Sequence, residues 1–167
     1  PMAGANKAKP LHDRPMGGKC ENRRLDWVDL GHRFSTDVFS MHFPFAQPDQ
    51  GFWLSLVYAV LGGVSAAMDV AQADIDGCVY IDLGGLARPA LIIFDDVPGG
   101  AGHTKRLVEP GALEQVLKAA LWRVNDCECG SDTSCYACLR SYRNQWCHDR
   151  LVRGPVADYL KRLLGVN

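Results

Sequence analysis

The sequence lacks the long apolar segments that would place a chain in a membrane or carry it out of the cell. No apolar signal peptide precedes it, and no apolar run approaches the roughly eighteen residues of a membrane span. Its 7 cysteines are an odd number, which argues against the fully paired disulfides of a small secreted domain. We therefore expect a cytoplasmic protein with reduced thiols and no membrane contact.

The sequence also lacks residues that two kinds of nucleic-acid enzyme require. A nucleotide-binding P-loop ends in Lys-Ser or Lys-Thr, and the glycine run at residues 99–102 is followed by neither. A two-metal nuclease site at a strand end would have to use Asp82, Asp95, Asp96 and His103. No Glu-x-Lys or Asp-x-Lys pair follows these residues at the expected place. We expect neither ATPase nor nuclease activity, and we assign no catalytic residue.

A proline and three glycines, preceded by two aspartates, predict a loop that continues neither a strand nor a helix. The loop residues are Asp95, Asp96, Pro98, Gly99, Gly100 and Gly102. The glycines allow positive φ and let another group approach the backbone. The aspartates can brace a tight turn through their carboxylates, so we interpret the loop as architecture.

The length, composition and charge of the chain limit how it can be divided into domains. Its 167 residues are 47% hydrophobic, enough for one domain with a proper core. The formal net charge is only -1, but residues 37–102 contain Arg88 as their single basic residue, and basic residues concentrate toward both ends. Residues 1–24 are rich in Gly, Ala, Lys and Pro without periodicity, which predicts a linker or mobile arm before a domain at residues 25–167.

Apolar periodicity predicts an α+β fold. Strand-like patterns occupy residues 36–43, 78–83 and 91–94, and helical spacing occupies residues 51–70. Gly62 and Gly63 inside that helix indicate that another backbone packs close to it. Pro110 and Pro155 open two further helices. We expect a small mixed sheet packed with helices, with the all-apolar third strand central, ending in a four-cysteine knuckle and a C-terminal helix.

The strongest local pattern is a C-x-C pair followed, after a five-residue loop, by a C-x-x-C pair. The four residues are Cys127, Cys129, Cys135 and Cys138. Four thiolates at this spacing can surround one tetrahedral zinc ion, and a shell filled by protein ligands is typical of structural zinc. The alternatives are disulfides, buried thiols acting as small apolar groups, and replacement of one ligand by Cys147 or His148. Cys78, outside the cluster, is expected to fill a core.

Arginines and aromatic residues follow the cysteines within the knuckle segment, residues 125–153. The candidate nucleic-acid contacts are Arg140, Arg143, Arg150 and Arg153, interleaved with Tyr136, Tyr142 and Trp146. Guanidinium groups bind phosphates and aromatic rings stack on unpaired bases. Arginines beside a four-thiolate site can instead offset its net negative charge. We expect Arg143 to brace the fold and Arg150 to contact DNA, with binding of a partner protein as the competing interpretation.

Several of these motifs, in this order, resemble one known family. They are the run from Phe94 to Gly102, the Cys127-x-Cys129 pair, the run from Ser134 to Gln145, and His148-x-x-Leu151-x-Arg153. Together they resemble the MrfA-type zinc-binding domain, and residues 31–37 and 74–77 resemble its DrmB-like branch. Asn144 stands where MrfA-like members often have a cysteine, and Val152 stands where they often have an aspartate.

The resemblance covers about residues 30–165. It implies one zinc ion held by the four cysteines, in a domain attached to or partnered with a superfamily 2 DNA helicase. Such domains occur in helicases of DNA repair and in the DrmB component of the DISARM antiphage system. The resemblance therefore implies a helicase-associated accessory domain that contributes DNA binding, partner binding or both. A pure protein-interaction module and a metal-dependent nuclease are the alternatives.

Overall fold

The computed structural model describes residues 13, 16–19, 31–43, 49–80 and 89–166. The chain divides into two compact units, Pro1–Arg33 and Phe34–Asn167. In the first unit, Asp13 and Lys19 form an isolated antiparallel bridge and a 2.6 Å ion pair. Most of the predicted arm at residues 1–24 lies outside the described residues, so that arm and its boundary with the domain at 25–167 stay predictions.

The second unit contains a three-stranded antiparallel sheet. Its strands are β1 (Val38–His42), β2 (Ile75–Tyr80) and β3 (Ala90–Asp95), and β3 lies between the other two. Leu91 and Ile93 of β3 are fully buried, which confirms the central position predicted from its apolar composition. In β1, Met41 is buried and His42 is exposed, as the alternation predicts.

Helix α1 (Gln50–Met68) runs through the centre of this unit. The Asp49 carboxylate caps it by accepting the Phe52 N–H at 2.8 Å, and Asp69 ends it in the left-handed conformation with φ of 52°. Most of its side chains are buried, because both the sheet and a second helix pack on it. The predicted helix at residues 51–70 is confirmed.

Helix α1 is also long and apolar enough to cross a membrane by length and composition alone. Its residues Gly51–Met68 have a mean hydropathy of 1.6, so the expectation that no apolar run approaches this length is wrong. Gly and Ser interrupt the segment, so the sequence does not show it as an unbroken apolar run. In this structure 67% of the segment is buried inside the protein, and core helices of this kind pass the same test.

Helices α2 (Ala112–Asn125) and α3 (Gly154–Leu164) complete the fold. A Cβ added to Gly63 would lie 2.4 Å from the Val116 carbonyl oxygen of α2, so the two backbones approach closely at this glycine. A Cβ at Gly62 would meet the Arg123 side chain instead, at 3.1 Å. The close approach predicted from the paired glycines is therefore confirmed at Gly63. The order of strands and helices makes the fold α+β, as predicted.

Strand β2 corrects one expectation. It begins at Ile75 rather than residue 78, and residues 81–83 of the predicted strand lie outside the described residues. Cys78, expected to fill a core, is exposed. Ile75 is buried, and a Cβ at Gly77 would touch the core. Side chains alternate along a strand, so Asp76 and Cys78 face the opposite side of β2.

Candidate functional site

The four cysteines lie where α2 ends and the chain turns back toward α3. Cys127 and Cys129 directly follow the last turn of α2. The intervening loop closes with a 3.3 Å hydrogen bond from the Thr133 N–H to the Gly130 carbonyl. The Cys135 carbonyl then accepts the N–H groups of Cys138, Leu139 and Arg140 at 3.2, 3.1 and 2.9 Å. This compact turn brings the second cysteine pair back onto the first.

The geometry of the cluster fits one tetrahedral ion. All four Sγ atoms lie within 4.8 Å of one another. Cys127 Sγ is 3.5 Å from Cys129 Sγ and 3.4 Å from Cys135 Sγ, while Cys138 Sγ is 3.8 Å from Cys129 Sγ and 3.9 Å from Cys135 Sγ. A tetrahedron with zinc–sulfur bonds of about 2.3 Å has edges of about 3.8 Å. The thiols therefore match a structural zinc shell without rearrangement of the backbone.

Three of the four cysteines have shifted pKa values. Burial raises the pKa of Cys138 to about 12 and also raises that of Cys129. Burial acts in the same direction on Cys135, but hydrogen bonds from the Cys127 thiol and from the Ala137 and Cys138 N–H groups outweigh it and lower its pKa to about 7. Zinc ligands bind as thiolates, so metal binding must displace protons and weakens as the pH falls.

Two arginines hold the backbone of the cluster from outside. Arg153, just before α3, donates from Nε to the Cys129 carbonyl at 2.8 Å and from Nη1 to the Val124 carbonyl at 3.0 Å, and its Nη2 also reaches the Cys129 carbonyl. Arg123 of α2 donates from Nε to the Cys138 carbonyl at 2.7 Å. These guanidinium groups place positive charge beside a four-thiolate site whose net charge with zinc is negative.

Two more of the predicted arginines, Arg140 and Arg143, have hydrogen-bond partners within this domain. Arg140 donates to the hydroxyls of Ser134 at 3.1 Å and Thr133 at 3.5 Å. Arg143 pairs with Asp96 of the glycine loop and, at 3.3 Å, with Asp76 of β2. It also donates to the Ala73 carbonyl at 3.2 Å. Arg143 therefore ties the segment after the cysteines to the sheet.

Cys147 and His148 lie apart from the four-cysteine cluster. The buried Cys147 thiol donates to the Asn144 carbonyl at 3.3 Å. His148 Nε2 lies 2.8 Å from Asn144 Oδ1 and 3.0 Å from the Ser141 carbonyl. Because both neighbours are acceptors, this nitrogen carries the proton. Neither residue replaces one of the clustered thiols in this geometry.

The glycine loop is held by Asp95. This carboxylate is fully buried and accepts the N–H groups of Ala101, His103 and Thr104 at 2.7, 3.0 and 2.9 Å. Burial alone would raise its pKa, but these hydrogen bonds outweigh burial and lower it. Gly100 has φ of 77°, and a Cβ there would lie 2.6 Å from Asp37 Oδ2, so the position requires glycine. Asp82 lies outside the described residues.

The predicted aromatic residues are exposed, one inside the second cysteine pair and two on the segment that follows it. Tyr142 and Trp146 lie on the 3₁₀ segment Tyr142–Arg150 and are 83% and 64% exposed, and Tyr136 is 61% exposed. Arg150 is exposed at the end of the same segment. We call Tyr136, Tyr142, Trp146 and Arg150 the knuckle face. Exposed aromatic rings are available to stack on a ligand or to pack against a partner.

The chain matches the family described as MZB, the MrfA Zn-binding domain, over residues 56–139, which is half of its length and includes all four cysteines. This chain belongs to the MrfA Zn-binding domain family. Zinc is its cofactor, in agreement with the family and with the clustered thiols. When bound, the ion links the end of α2 to the turn that precedes the 3₁₀ segment.

This MrfA Zn-binding domain covers only a small part of the longer proteins that it resembles. It is 29% identical over 182 residues to Druantia protein DruE of Escherichia coli strain UMEA 4076-1, covering 94% of this chain and 10% of DruE. Among solved structures it resembles the DUF1998 helicase MrfA bound to DNA, with a TM-score of 0.51, 16% identity, and coverage of 72% of this chain and 15% of MrfA.

A second structure, MrfA bound to DNA and AMPPNP, gives a TM-score of 0.54 at 14% identity and covers 75% of this chain and 15% of that one. At these identities the two structures show likeness of fold alone. The chain thus spans about a tenth of DruE. Both relatives are much longer than this chain, and MrfA is a helicase.

Two residues of this site have no clear signal in the sequence. Arg123 lies on α2 between Trp122 and Val124, and only the packing of the knuckle onto that helix gives it the Cys138 carbonyl. Asn144 is fully buried within a polar run; it accepts the Ser141 N–H at 2.8 Å and donates to the Leu139 carbonyl at 2.9 Å. The Ser-x-x-Asn spacing is a variant of the capping box and could have indicated this role.

Proposed function

We propose that this domain is a zinc-stabilised accessory domain of a helicase-associated protein in antiphage defence or DNA repair. Its role there is to contact single-stranded DNA through the knuckle face. The relatives support the setting, since DruE is a Druantia protein and MrfA is a helicase solved with DNA. We further propose that the helicase is of superfamily 2 and acts in the same chain or as a separate subunit.

The exposed rings of the knuckle face carry the DNA proposal. Tyr142 and Trp146 stand on a segment fixed by buried Asn144 and Cys147 and linked to the sheet by Arg143. The rings are therefore presented on a supported backbone. Stacking of an unpaired base on such a ring contributes about 1–3 kcal/mol and tolerates any base.

The four arginines predicted as nucleic-acid contacts differ in how well they suit that role. Arg153 and Arg143 donate mainly to backbone carbonyls and carboxylates of this domain, and Arg140 donates to two hydroxyls. Arg150 is exposed on the same 3₁₀ segment as the rings of Tyr142 and Trp146, and for that position we keep it as the leading phosphate contact. We treat the other three as groups that position the knuckle.

The experiment is a comparison of exposed tryptophans in the zinc-loaded full-length protein. We expect Trp146→Ala to weaken binding of single-stranded oligothymidylate by about 1–3 kcal/mol. The matched control is Trp122→Ala, since Trp122 is 69% exposed but lies on α2 outside the knuckle face. Fluorescence anisotropy at fixed salt provides the measurement. Equal affinities of the two variants would remove the proposal.

The arginines can be separated in the same assay. Arg150→Ala should reduce the slope of log affinity against log salt by about 0.7, as expected for one lost phosphate contact on a single strand. Arg153→Ala should leave that slope unchanged but speed the loss of zinc to a chelator, because it removes the donors to the Cys129 and Val124 carbonyls. The opposite pattern would assign the phosphate contact to Arg153.

A protein-interaction module is the second candidate function. One observation favours it: an apolar groove of about 450 Å³ lies between β1, the start of α2 and the end of α3. Phe39, Met41 and Leu117 contribute to its walls, and β1 is an edge strand of the three-stranded sheet. A domain that retains a partner protein after Trp146→Ala and shows no DNA affinity would favour this function.

We propose no catalytic role and a cytoplasmic location. Both oxygens of the Asp95 carboxylate already accept backbone N–H groups, and Asp96 pairs with Arg143, so neither is well placed to hold catalytic metal. Described cysteines are free thiols, which suits a reducing compartment. We also keep the DrmB-like assignment as a proposal, supported by the hydrogen bonds that Asn144 makes where related domains often have cysteine.

A further inference from the structure

A cleft beside the knuckle face is lined by three arginines. It has a volume of about 230 Å³ and lies between α1, the loop that precedes β2, α2 and residues 138–143. Arg123, Arg140 and Arg143 all line it, and Asp76 is its acidic residue. Asp76 already pairs with Arg143. We call this the arginine cleft.

Two of these guanidinium groups have unused hydrogen-bond donors. Among the described residues, neither Arg123 nor Arg140 forms an ion pair with a carboxylate. The bond made by Arg123 uses Nε, which leaves both terminal nitrogens available within the described part of the chain. Both Arg140 partners are neutral hydroxyls. Guanidinium forks of this kind match the oxygens of a phosphate.

The remaining walls of the cleft are apolar and aromatic. Tyr58 and Leu61 of α1 contribute to them, with Leu139 from the other side. Tyr142, which is 83% exposed, also lines the cleft and so joins it to the knuckle face. Pockets for drug-sized ligands are roughly 300–1,000 Å³, so this smaller cleft suits a fragment such as one base.

We propose that the arginine cleft binds one unpaired nucleotide of a DNA strand, with its base against the apolar wall and its phosphate against Arg123 and Arg140. The inference rests on the proposed function, since the knuckle face would deliver the strand to the cleft through Tyr142. The alternative is that these arginines only offset the charge of the thiolates. That role would affect zinc retention and not the binding of a base.

The test places a bulky side chain at the edge of the arginine cleft. Ala73 and Ala71 are both exposed in the loop that precedes β2, but of the two only Ala73 lines the cleft. In the zinc-loaded full-length protein, Ala73→Trp should weaken binding of single-stranded oligothymidylate about tenfold, as expected for one lost stacked base. Ala71→Trp should change it less than about twofold. Zinc content and melting temperature of both variants report whether they fold.

A second test changes the DNA strand as well as the protein. An oligothymidylate with one abasic residue at the central position should bind the wild-type protein more weakly than the intact strand, and Ala73→Trp should remove most of that difference. Photocrosslinking with 5-iododeoxyuridine should label Tyr58, which lines the cleft but not the knuckle face, in the wild type but not in Ala73→Trp. Labelling of Trp146 should persist in both.

The outcomes separate this inference from the function on which it rests. If Ala73→Trp binds DNA as Ala71→Trp does, and crosslinks occur at Tyr136, Tyr142 or Trp146 but not at Tyr58, the cleft holds no nucleotide while the knuckle face still binds DNA. If no crosslink occurs within residues 136–150 and Trp146→Ala has no effect, both proposals fail. Loss of a partner protein in Ala73→Trp with unchanged DNA affinity would assign the cleft to a protein ligand.

Discussion

At the scale of single residues, the buried amide of Asn144 organises the segment that follows the cysteines. Its side chain bonds to the Ser141 N–H, the Leu139 carbonyl and the His148 ring. We predict that Asn144→Ala lowers the free energy of unfolding by about 3 kcal/mol, because it leaves buried polar groups without partners. The control is exposed Gln145→Ala, with a change below about 0.5 kcal/mol. Urea unfolding measures both, and a small effect of Asn144→Ala would contradict this role.

Asp95 allows a prediction with a defined pH dependence. Its folded-state pKa lies below the ordinary value of 3.8, so the ionised carboxylate stabilises the fold above that value, and this stabilisation is lost as the pH falls through the lower folded pKa. We predict that Asp95→Asn costs about 2 kcal/mol at neutral pH, because an amide NH₂ cannot accept N–H groups. The difference from wild type should shrink below about pH 4.

The pH series needs a control, since acid also removes zinc from the thiolates. Asp158→Asn, an exposed change on α3, should follow the wild-type unfolding curve at every pH to within about 0.5 kcal/mol. A difference between Asp95→Asn and wild type that stays constant down to pH 3 would show that the Asp95 charge does not brace the loop.

At the scale of helices and strands, the contact between α1 and α2 depends on the absence of a side chain at Gly63. We predict that Gly63→Ala destabilises the fold by about 2 kcal/mol or more, because its Cβ would meet the Val116 carbonyl at 2.4 Å. Gly62→Ala is the matched control. There the new Cβ meets a side chain that can move, and the gain in helix propensity of about 1 kcal/mol offsets the cost.

Thermal unfolding of the two variants measures the difference. Equal melting temperatures would mean that the helices can separate without loss, and that the close approach at Gly63 is not needed for stability. A melting temperature lowered only by Gly62→Ala would instead place the tight contact at the Arg123 side chain.

Most of the described strands and helices could be predicted from the sequence because their apolar period is set locally. Helix α1 has such a period and strand β3 has a short unbroken apolar run, and both agree with the structure. The expectation for Cys78 was wrong because the apolar character of a thiol does not fix its face, and Cys78 alternates with Ile75 and Gly77, which face the core. The 3₁₀ segment Tyr142–Arg150 has only Asn144 and Cys147 buried, too few for a recognisable period.

At the scale of the whole molecule, the position of the four cysteines was predictable while the partners of the arginines were not. Ligand spacing within a short turn limits where the thiols can lie. Arg143 reaches Asp96, 47 residues away in sequence, and Arg153 reaches the carbonyls of Cys129 and Val124 only because α3 packs beside the cluster. Such contacts depend on the assembled fold, which single-sequence patterns do not contain.

The zinc cluster is also continuous with the main core. Cys138 and Leu139 are buried in the same hydrophobic cluster as the residues of α1 and α2. The N–H groups of Arg153 and Gly154 bond to the Thr133 and Ser131 carbonyls at 3.0 and 2.8 Å, so the start of α3 is fixed to the cysteine loop. Loss of the metal should therefore loosen the attachment of α3 as well as the knuckle.

We predict one zinc ion per chain and its loss in Cys135→Ser, with metal binding contributing on the order of 10 kcal/mol by analogy with zinc-finger peptides. Hydrogen exchange should show protection lost first in residues 125–153, then at the start of α3, and last in the sheet, because the strands are held by their own backbone pairing. Cys78→Ser is the control, since that thiol is exposed and outside the cluster, so zinc content should not change. A fully folded, zinc-free wild type would refute the structural role, and loss of protection confined to the cysteine loop would show that the cluster is an independent appendage.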